Sequence, residues 1–324
     1  MTRRLLALLS TVALVAGLAA CGSSSSSGSK HLSLVAYSTP QAAYAKLTAA
    51  FEATPAGRGV TFTQSFGASG QQSKAVLAGL PANVVALSLD PDVTKLVKAG
   101  LVSPSWDSGP NQGIVSTTVA VIIVRRGNPK HITGWDSLIK PGVQVVTPNP
   151  VSSGSARWNI LAAYGAELKE GKTPAQADAY LTALFKHVVS QDTSARNAEE
   201  TFLSGRGNAL LDYENEAISL QRKGEPVQEV LPSSTILIQN PAAVVTRGGD
   251  TAVAQQFISY LQTPAAQQIF ASEGFRPTIQ SLVNSAEFPT IPGLFTAADL
   301  GGWTKLDTEF FDPGGLITKI DSSG

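Results

Sequence analysis

The sequence predicts an α/β protein with mostly parallel β-sheets. Short apolar or β-branched runs alternate with stretches of helical periodicity from residue 31 onward, and this alternation is typical of βαβ units. The chain has 324 residues, of which 43% are hydrophobic and 15% charged, so it is long and apolar enough for one large or two medium domains. Lys+Arg and Asp+Glu both number 24, a balance that gives no indication of a nucleic-acid partner.

The first 20 residues have the pattern of a secretory signal peptide. Met1-Thr2-Arg3-Arg4 is basic and precedes an apolar run that ends in small residues. The single cysteine, Cys21, follows Leu18-Ala19-Ala20 in a pattern similar to the lipobox of bacterial lipoproteins. We therefore expect Cys21 to carry the lipid and to begin the mature chain. Residues 21–30, with five consecutive serines, are predicted to be a flexible tether.

Strands and helices are predicted in two groups after the tether. The first group covers residues 32–37, 41–53, 60–66, 71–80, 84–87 and 93–99, beginning with a strand and alternating. Residues 103–113 are rich in Ser, Pro and Gly and precede an apolar strand at 117–124, which is the best candidate for a crossing into a second unit. The second group has strands at 143–146, 188–189 and 208–212 and helices at 156–168, 174–185 and 198–203. Strands at 235–239 and 242–245 then return the chain to the first unit, where helices 252–262 and 265–273 are expected to pack.

Three strand-to-helix turns built from small residues are candidate anion-binding sites. The strongest runs from Thr147 to Asn159 and offers Ser152 or Ser153 as the helix N-cap. Similar turns occur at Ser65-Phe66-Gly67-Ala68-Ser69-Gly70 and at Asp192-Thr193-Ser194-Ala195-Arg196. The start of a helix has unpaired N–H donors and a partial positive charge, so three such turns indicate one anion held by several helix starts.

Catalysis is not indicated by the residues present. Ser69 lacks the glycine two positions later that a nucleophile elbow requires, because Gln71 stands there. The three histidines lie in no pattern typical of a catalytic triad or a metal site, and residues 67–72 lack the Gly-Lys-Ser/Thr ending of a P-loop. We therefore predict no enzyme activity, no metal and no cofactor, with an exported α/β hydrolase as the alternative.

Four motifs of this sequence can be compared with known families: Gly67-Ala68-Ser69-Gly70-Gln71-Gln72, Pro81-Ala82-Asn83-Val84-Val85-Ala86-Leu87, the segment from Asn149 to Asn159, and Tyr213-Glu214-Asn215-Glu216-Ala217. They closely resemble the sulfate-binding proteins of bacterial sulfate ABC transporters, and the likeness extends over about residues 32–320. The resemblance implies a type II periplasmic-binding-protein clamp with the ligand in the interdomain cleft. Residues 31–113 and 240–324 would form the first domain and residues 114–239 the second.

The same resemblance implies a function without catalysis. The protein would be a monomeric receptor, anchored by Cys21 to the outer face of the cytoplasmic membrane, that captures sulfate or thiosulfate and delivers it to permease subunits. Another tetrahedral oxyanion, molybdate or phosphate, is the alternative ligand.

The family's anion donors can be carried onto this sequence by position. They fall on Ser38, Ser69, Ser153, Gly154, Ser155, Ala195 and Tyr213. Most would donate backbone N–H groups, with one serine hydroxyl and the Tyr213 phenol as side-chain donors. Three of these residues depart from the family pattern, since Ser38 replaces aspartate, Ser155 replaces glycine and Tyr213 replaces tryptophan, but each keeps a donor.

Charged residues near these donors are expected to have supporting roles. Arg196 would lie behind them and bond the helix-start peptides, and Arg157 would lie at the surface or behind the site. Glu214 and Glu216 are expected at the surface or in interdomain contacts. With no carboxylate among the donors, sulfate binding is predicted to be nearly constant between about pH 5 and 8 and phosphate at least about tenfold weaker.

Overall fold

The computed structural model describes residues 30–322. The predicted signal peptide, Cys21 and all but the last residue of the predicted tether lie outside this range. Within it, no helix is both long enough and apolar enough to cross a membrane.

Strands and helices alternate through most of the described chain, as predicted. The strands are β1 (Lys30–Tyr37), β2 (Val60–Gly67), β3 (Val84–Ala86), β4 (Ile114–Arg125), β5 (Val145–Pro148), β6 (Val188–Asp192), β7 (Ala209–Tyr213), β8 (Val227–Val230), β9 (Ser234–Val244) and β10 (Gly293–Phe295). The helices are α1 (Gln41–Glu52), α2 (Ser69–Leu77), α3 (Asp90–Lys98), α4 (Gly154–Lys169), α5 (Pro174–Phe185), α6 (Ala195–Leu203), α7 (Glu214–Arg222), α8 (Thr251–Leu261), α9 (Pro264–Ser272), α10 (Trp303–Leu306) and α11 (Leu316–Ser322).

The strands form two lobes joined by β4 and β9. The strand order is β2-β1-β3-β9-β4-β7-β5-β6, with β10 beside β9 and β8 beside β4. Pairing is parallel within each lobe, for β1 with β2 and β3 and for β5 with β6 and β7. The long antiparallel pair of β4 and β9 crosses from one lobe to the other, because β9 also pairs with β3 and β4 also pairs with β7.

Strand β9 differs from the prediction of two separate strands at 235–239 and 242–245. It runs unbroken through Asn240 and Pro241, a residue that usually interrupts a strand because it lacks an N–H donor. Pro241 lies opposite Ile114 where the register of the two strands shifts, and Ala242 N–H bonds the Gly113 carbonyl instead. The predicted boundaries at 113/114 and 239/240 thus fall at the start of β4 and inside β9.

Each lobe has its own apolar core. In the first lobe, α8 and α9 pack on α1 as expected, and Phe51 meets Phe257 edge to face with ring centroids 5.2 Å apart. In the second lobe, α4 is buried on nearly every side, which is typical of a helix in the interior. Its residue Trp158 is 1% exposed and meets Trp303 at a centroid distance of 4.8 Å.

The C-terminal segment corrects the predicted first domain. The prediction puts residues 240–324 in that domain, but β10 pairs with the part of β9 that lies in the second lobe. Phe295, Phe310 and Ile317 are buried in the core formed around α4. Gly165 makes room for this packing, since a Cβ at that position would lie 2.3 Å from Phe295 Cζ. The segment therefore packs on the second lobe because its apolar side chains are buried there.

Candidate anion-binding site

Two predicted helix starts face each other across the lobes. Helix α2 begins at Ser69 and α4 at Gly154, each two residues earlier than predicted. Gly70 N–H donates to the Ser152 carbonyl at 3.0 Å, and a Cβ on Gly70 would lie 2.9 Å from that oxygen. A Cβ on Gly154 would lie 2.8 Å from Ser88 Cβ. The missing side chains at Gly70 and Gly154 therefore allow the two lobes to touch.

The third helix start, that of α6, joins the same region. Strands β5 and β6 end side by side at Pro148 and Asp192, and Ser152 Oγ donates to the Thr193 carbonyl at 2.7 Å. Helix α6 begins at Ala195, three residues earlier than predicted. Because the carboxyl ends of parallel strands share one edge of a sheet, the starts of α4 and α6 are neighbours.

Five of the predicted residues have free backbone donors. The N–H groups of Ser38, Ser69, Gly154, Ser155 and Ala195 make no hydrogen bond to any other residue in the described range. Ser38 is half-buried and the other four are buried. Ser153 differs, because its N–H donates to the Asn149 carbonyl at 2.8 Å, so its hydroxyl is the group left for a ligand.

Two pairs of buried hydroxyl groups complete the donor set. Ser153 Oγ lies 2.9 Å from Ser155 Oγ, and Ser88 Oγ lies 2.7 Å from Tyr213 Oη. No other described residue bonds any of these four oxygens. Each pair contains two hydrogens and makes one hydrogen bond, so each leaves one O–H donor for a third partner.

Further buried oxygens lie at strand ends near these pairs. Tyr37 Oη and Thr147 Oγ1 have no hydrogen-bond partner among residues 30–322. Tyr37 is the last residue of β1 and Thr147 lies near the end of β5. Buried polar atoms are nearly always bonded in proteins, so these two oxygens are open to a polar partner.

Ser88 is a residue that the sequence reasoning missed. Its N–H donates to Ser69 Oγ at 3.0 Å, and Ser69 Oγ in turn donates to Asp92 Oδ2 at 2.6 Å. Its carbonyl accepts from Trp158 Nε1 at 2.8 Å and from Asn240 Nδ2 at 3.0 Å. A usable signal was present, because Ser88 follows β3 almost as directly as Ser38 follows β1, and ligands of α/β sheets lie beyond the carboxyl ends of strands.

Arg196 lies behind the donors, among buried carboxyl groups. Arg196 Nη1 pairs with Glu199, and Arg196 Nη2 lies 2.7 Å from Glu216 Oε2. Asp212 is fully buried, and its Oδ1 accepts the Tyr213 N–H at 2.8 Å. The expected bonds to helix-start peptides are reduced to one long contact, 3.5 Å from Arg196 Nη2 to the Thr39 carbonyl.

The carboxyl groups around Arg196 hold protons more tightly than usual. Burial raises the pKa of Glu216 to about 8, although Arg196 opposes this shift. Burial, and then the nearby Glu216 and Glu199, raise the pKa of Asp212 well above its ordinary value. A group that titrates near neutral pH therefore lies directly behind the donors, which the sequence reasoning did not foresee.

Glu214 and Glu216, expected at the surface or in interdomain contacts, are both buried. Glu216 is 2% exposed, and Glu214 is 1% exposed. Glu214 forms a two-pronged ion pair with Arg276, at 2.6 and 2.7 Å, and Arg276 N–H bonds the Thr117 carbonyl of β4 at 2.8 Å. Of the two expected positions, Glu214 therefore takes the contact between the lobes and not the surface, because its partner Arg276 follows α9 of the first lobe.

The cavity between the two lobes is lined by charged side chains of both signs. A cavity of about 480 Å³ is lined by Gly70, Ser153, Lys74 and Arg157 among others. Arg157 is partly buried, donates to Asp307 Oδ1 at 2.9 Å and to the Pro150 carbonyl at 3.1 Å, and so holds the turn before α4 in place. Arg157 therefore lies at the edge of the cavity and supports the turn that precedes α4.

Comparison with known proteins identifies the family. Residues 32–276 match the model for bacterial extracellular solute-binding proteins. A sulfate-binding protein of Synechococcus elongatus is 43% identical over 96% of this chain and 94% of its own length. A thiosulfate-binding protein of Pseudomonas aeruginosa is 33% identical over 97% of this chain and 98% of its own length.

A solved structure agrees with the sequence comparisons. The sulfate-binding protein SubI from Mycobacterium tuberculosis H37Rv is 41% identical to this chain. The two structures superpose with a TM-score of 0.85 over 87% of this chain and 100% of SubI. This likeness confirms the predicted two-lobe periplasmic-binding-protein fold with mostly parallel sheets. The chain therefore belongs to the bacterial extracellular solute-binding protein family and, within it, to the group of the sulfate-binding proteins.

Proposed function

We propose that this chain is a non-enzymatic receptor that captures sulfate, or the related thiosulfate, between its two lobes and delivers it to an ABC permease. The mature protein is held at the outer face of the cytoplasmic membrane by lipid on Cys21 and acts as a monomer. The anion is bound by the N–H groups of Ser38, Ser69, Gly154, Ser155 and Ala195 and by the hydroxyls of Ser153 and Tyr213.

One observation carries this proposal: the starts of α2 and α4 meet across the lobes, and both leave unpaired backbone donors. Gly70 of one lobe bonds Ser152 of the other at 3.0 Å, which places Ser69 and Gly154 on opposite sides of the same contact. Oxyanions bind at helix starts because backbone N–H groups and the helix dipole both favour negative charge. The names of the related proteins agree with sulfate or thiosulfate as the anion.

Replacing Ser153 by alanine tests the proposed site. The hydroxyl is a side-chain donor to a charged group, so we expect Ser153→Ala to weaken sulfate binding by about 1.5–3 kcal/mol in isothermal titration calorimetry. Ser204→Ala is the matched control, because that hydroxyl is exposed and bonds only the Thr201 carbonyl. Wild-type sulfate affinity in Ser153→Ala would exclude this hydroxyl from the site, and a wild-type protein that binds neither anion would refute the proposed function.

Sulfate binding is expected to depend on pH only above about pH 7. Glu216, with a pKa of about 8, is uncharged below that pH and becomes negative above it. A negative charge behind Arg196 repels a dianion, so affinity falls as the pH rises through 8 and is nearly constant from about pH 5 to 7. Titrations in Glu216→Gln, which stays neutral, should remove the alkaline decrease. A decrease of equal size in Glu216→Gln would assign it to another group.

A further inference from the structure

Ser88 occupies the contact between the two lobes. It is 1% exposed and belongs to the first lobe, where its N–H bonds Ser69. Its hydroxyl meets Tyr213 and its carbonyl meets Trp158, both of the second lobe. Ser69, Tyr213 and Trp158 are therefore all hydrogen-bonded to this one serine, which follows β3.

The hydrogens of the Ser88–Tyr213 pair can be counted. Two hydroxyl groups bring two hydrogens, and the single bond of 2.7 Å between them uses one. Burial raises the pKa of the Tyr213 phenol well above its ordinary value, so this group keeps its proton at neutral pH. One hydrogen thus remains available to an acceptor that the protein itself does not supply within the described range.

The relative donor strength of the Ser88 and Tyr213 hydroxyls determines which of their two hydrogens is left for the anion. A phenol is a stronger donor than an aliphatic alcohol, and bonds to an ionised acceptor are the strongest ones available. The lowest-energy arrangement beside an anion is therefore a chain in which Ser88 donates to Tyr213 and Tyr213 donates to the anion. Hydrogen bonds in such a chain polarise and strengthen one another.

This chain has a consequence for specificity. Hydrogen phosphate keeps a P–O–H group that needs an acceptor, whereas sulfate has none. In the chain, Tyr213 Oη already accepts the hydrogen of Ser88 and donates its own, so it is not available to a phosphate hydroxyl. A phosphate hydroxyl must then turn to another hydroxyl oxygen of the site, such as that of Ser153, whereas sulfate needs no acceptor and bears no such cost.

We propose that Ser88 is a specificity-determining residue, which commits the Tyr213 hydroxyl to donate and so favours a fully deprotonated oxyanion over a protonated one. This rests on the proposed function, because it requires an oxyanion between the lobes. Ser88 acts through Tyr213 and is a positioning residue. Alanine at this position keeps the N–H and carbonyl that bond Ser69, Trp158 and Asn240, so the fold should be retained.

The test is a double-mutant cycle with two anions. Sulfate and inorganic phosphate are titrated at neutral pH into the wild type, Ser88→Ala, Tyr213→Phe and the double variant. We expect Ser88→Ala to weaken sulfate binding about threefold and to reduce the sulfate-to-phosphate affinity ratio at least about fivefold. Tyr213→Phe should weaken sulfate binding at least about tenfold, and adding Ser88→Ala to it should cause no further loss.

Four other outcomes would overturn the inference. Equal losses for both anions in Ser88→Ala would mean that Ser88 is only a contact between the lobes. A larger sulfate loss in Ser88→Ala than in Tyr213→Phe would mean that Ser88 itself donates to the anion. A wild type that binds sulfate but shows no preference over phosphate would overturn the inference and leave the proposed function intact, whereas a wild type that binds neither would overturn both.

Discussion

Gly154→Val is expected to reduce sulfate affinity by at least about 100-fold, because it prevents the two lobes from closing. A Cβ on Gly154 would lie 2.8 Å from both Cβ and Oγ of Ser88 and 2.9 Å from Leu89 Cδ2. These distances are too short for any real contact, and valine adds two further methyl groups. The anion would keep the donors of the second lobe and lose Ser38 and Ser69, two bonds to a charged group worth about 1.5–3 kcal/mol each.

The same substitution should leave the isolated lobes folded. Gly154 is the first residue of α4, and its side-chain direction points across the cleft to Ser88 rather than into its own lobe. Gly109→Val is the matched control, since no atom lies within 4 Å of a Cβ there. Calorimetry measures the affinity, and small-angle scattering with and without sulfate measures closure. Wild-type affinity in Gly154→Val would mean that the lobes do not close at this contact.

Arg196→Met is expected to lower the free energy of unfolding by about 3 kcal/mol at pH 8.5. Breaking a buried ion pair costs about 3–5 kcal/mol, and the lower end applies because 30% of the Arg196 side chain remains exposed. Removing the Arg196 guanidinium leaves the carboxyl groups of Glu199, Glu216 and Asp212 buried together without a cation. Arg247→Met, at an exposed arginine, is the control.

The effect of Arg196→Met should shrink as the pH falls. The pKa of Glu216 is raised in the folded protein from 4.5 to about 8. A carboxyl with a raised folded pKa contributes stability that is fully present below its unfolded pKa and is lost as the pH rises through the folded pKa. Urea unfolding of both proteins at pH 5.5 and 8.5 measures the difference. A loss of equal size at both values would show that these carboxyl groups do not hold protons.

Local features allowed much of the fold and the site to be predicted from the sequence. Alternation of apolar runs with helical periodicity predicted most strands and helices, since both patterns follow from backbone geometry over a few residues. The turns before Ser69, Gly154 and Ala195 were recognisable because small residues between a strand and a helix leave the first N–H groups uncovered. The family resemblance added the two-lobe architecture, which the comparisons confirm, and the donor set, which stays a prediction.

Tertiary structure alone decided which distant residues meet. No local signal placed Ser88 against Tyr213, because they are 125 residues apart and come from different lobes. The burial of Glu216 follows from packing around the first turn of α7, where residues 214–217 are all buried, whereas the sequence there has the pattern of a polar helix start. The C-terminal segment packs on the second lobe because Gly165 leaves space for Phe295. Donor positions are therefore determined by short-range backbone geometry, while closure, proton binding and anion selectivity depend on side chains brought together by the fold.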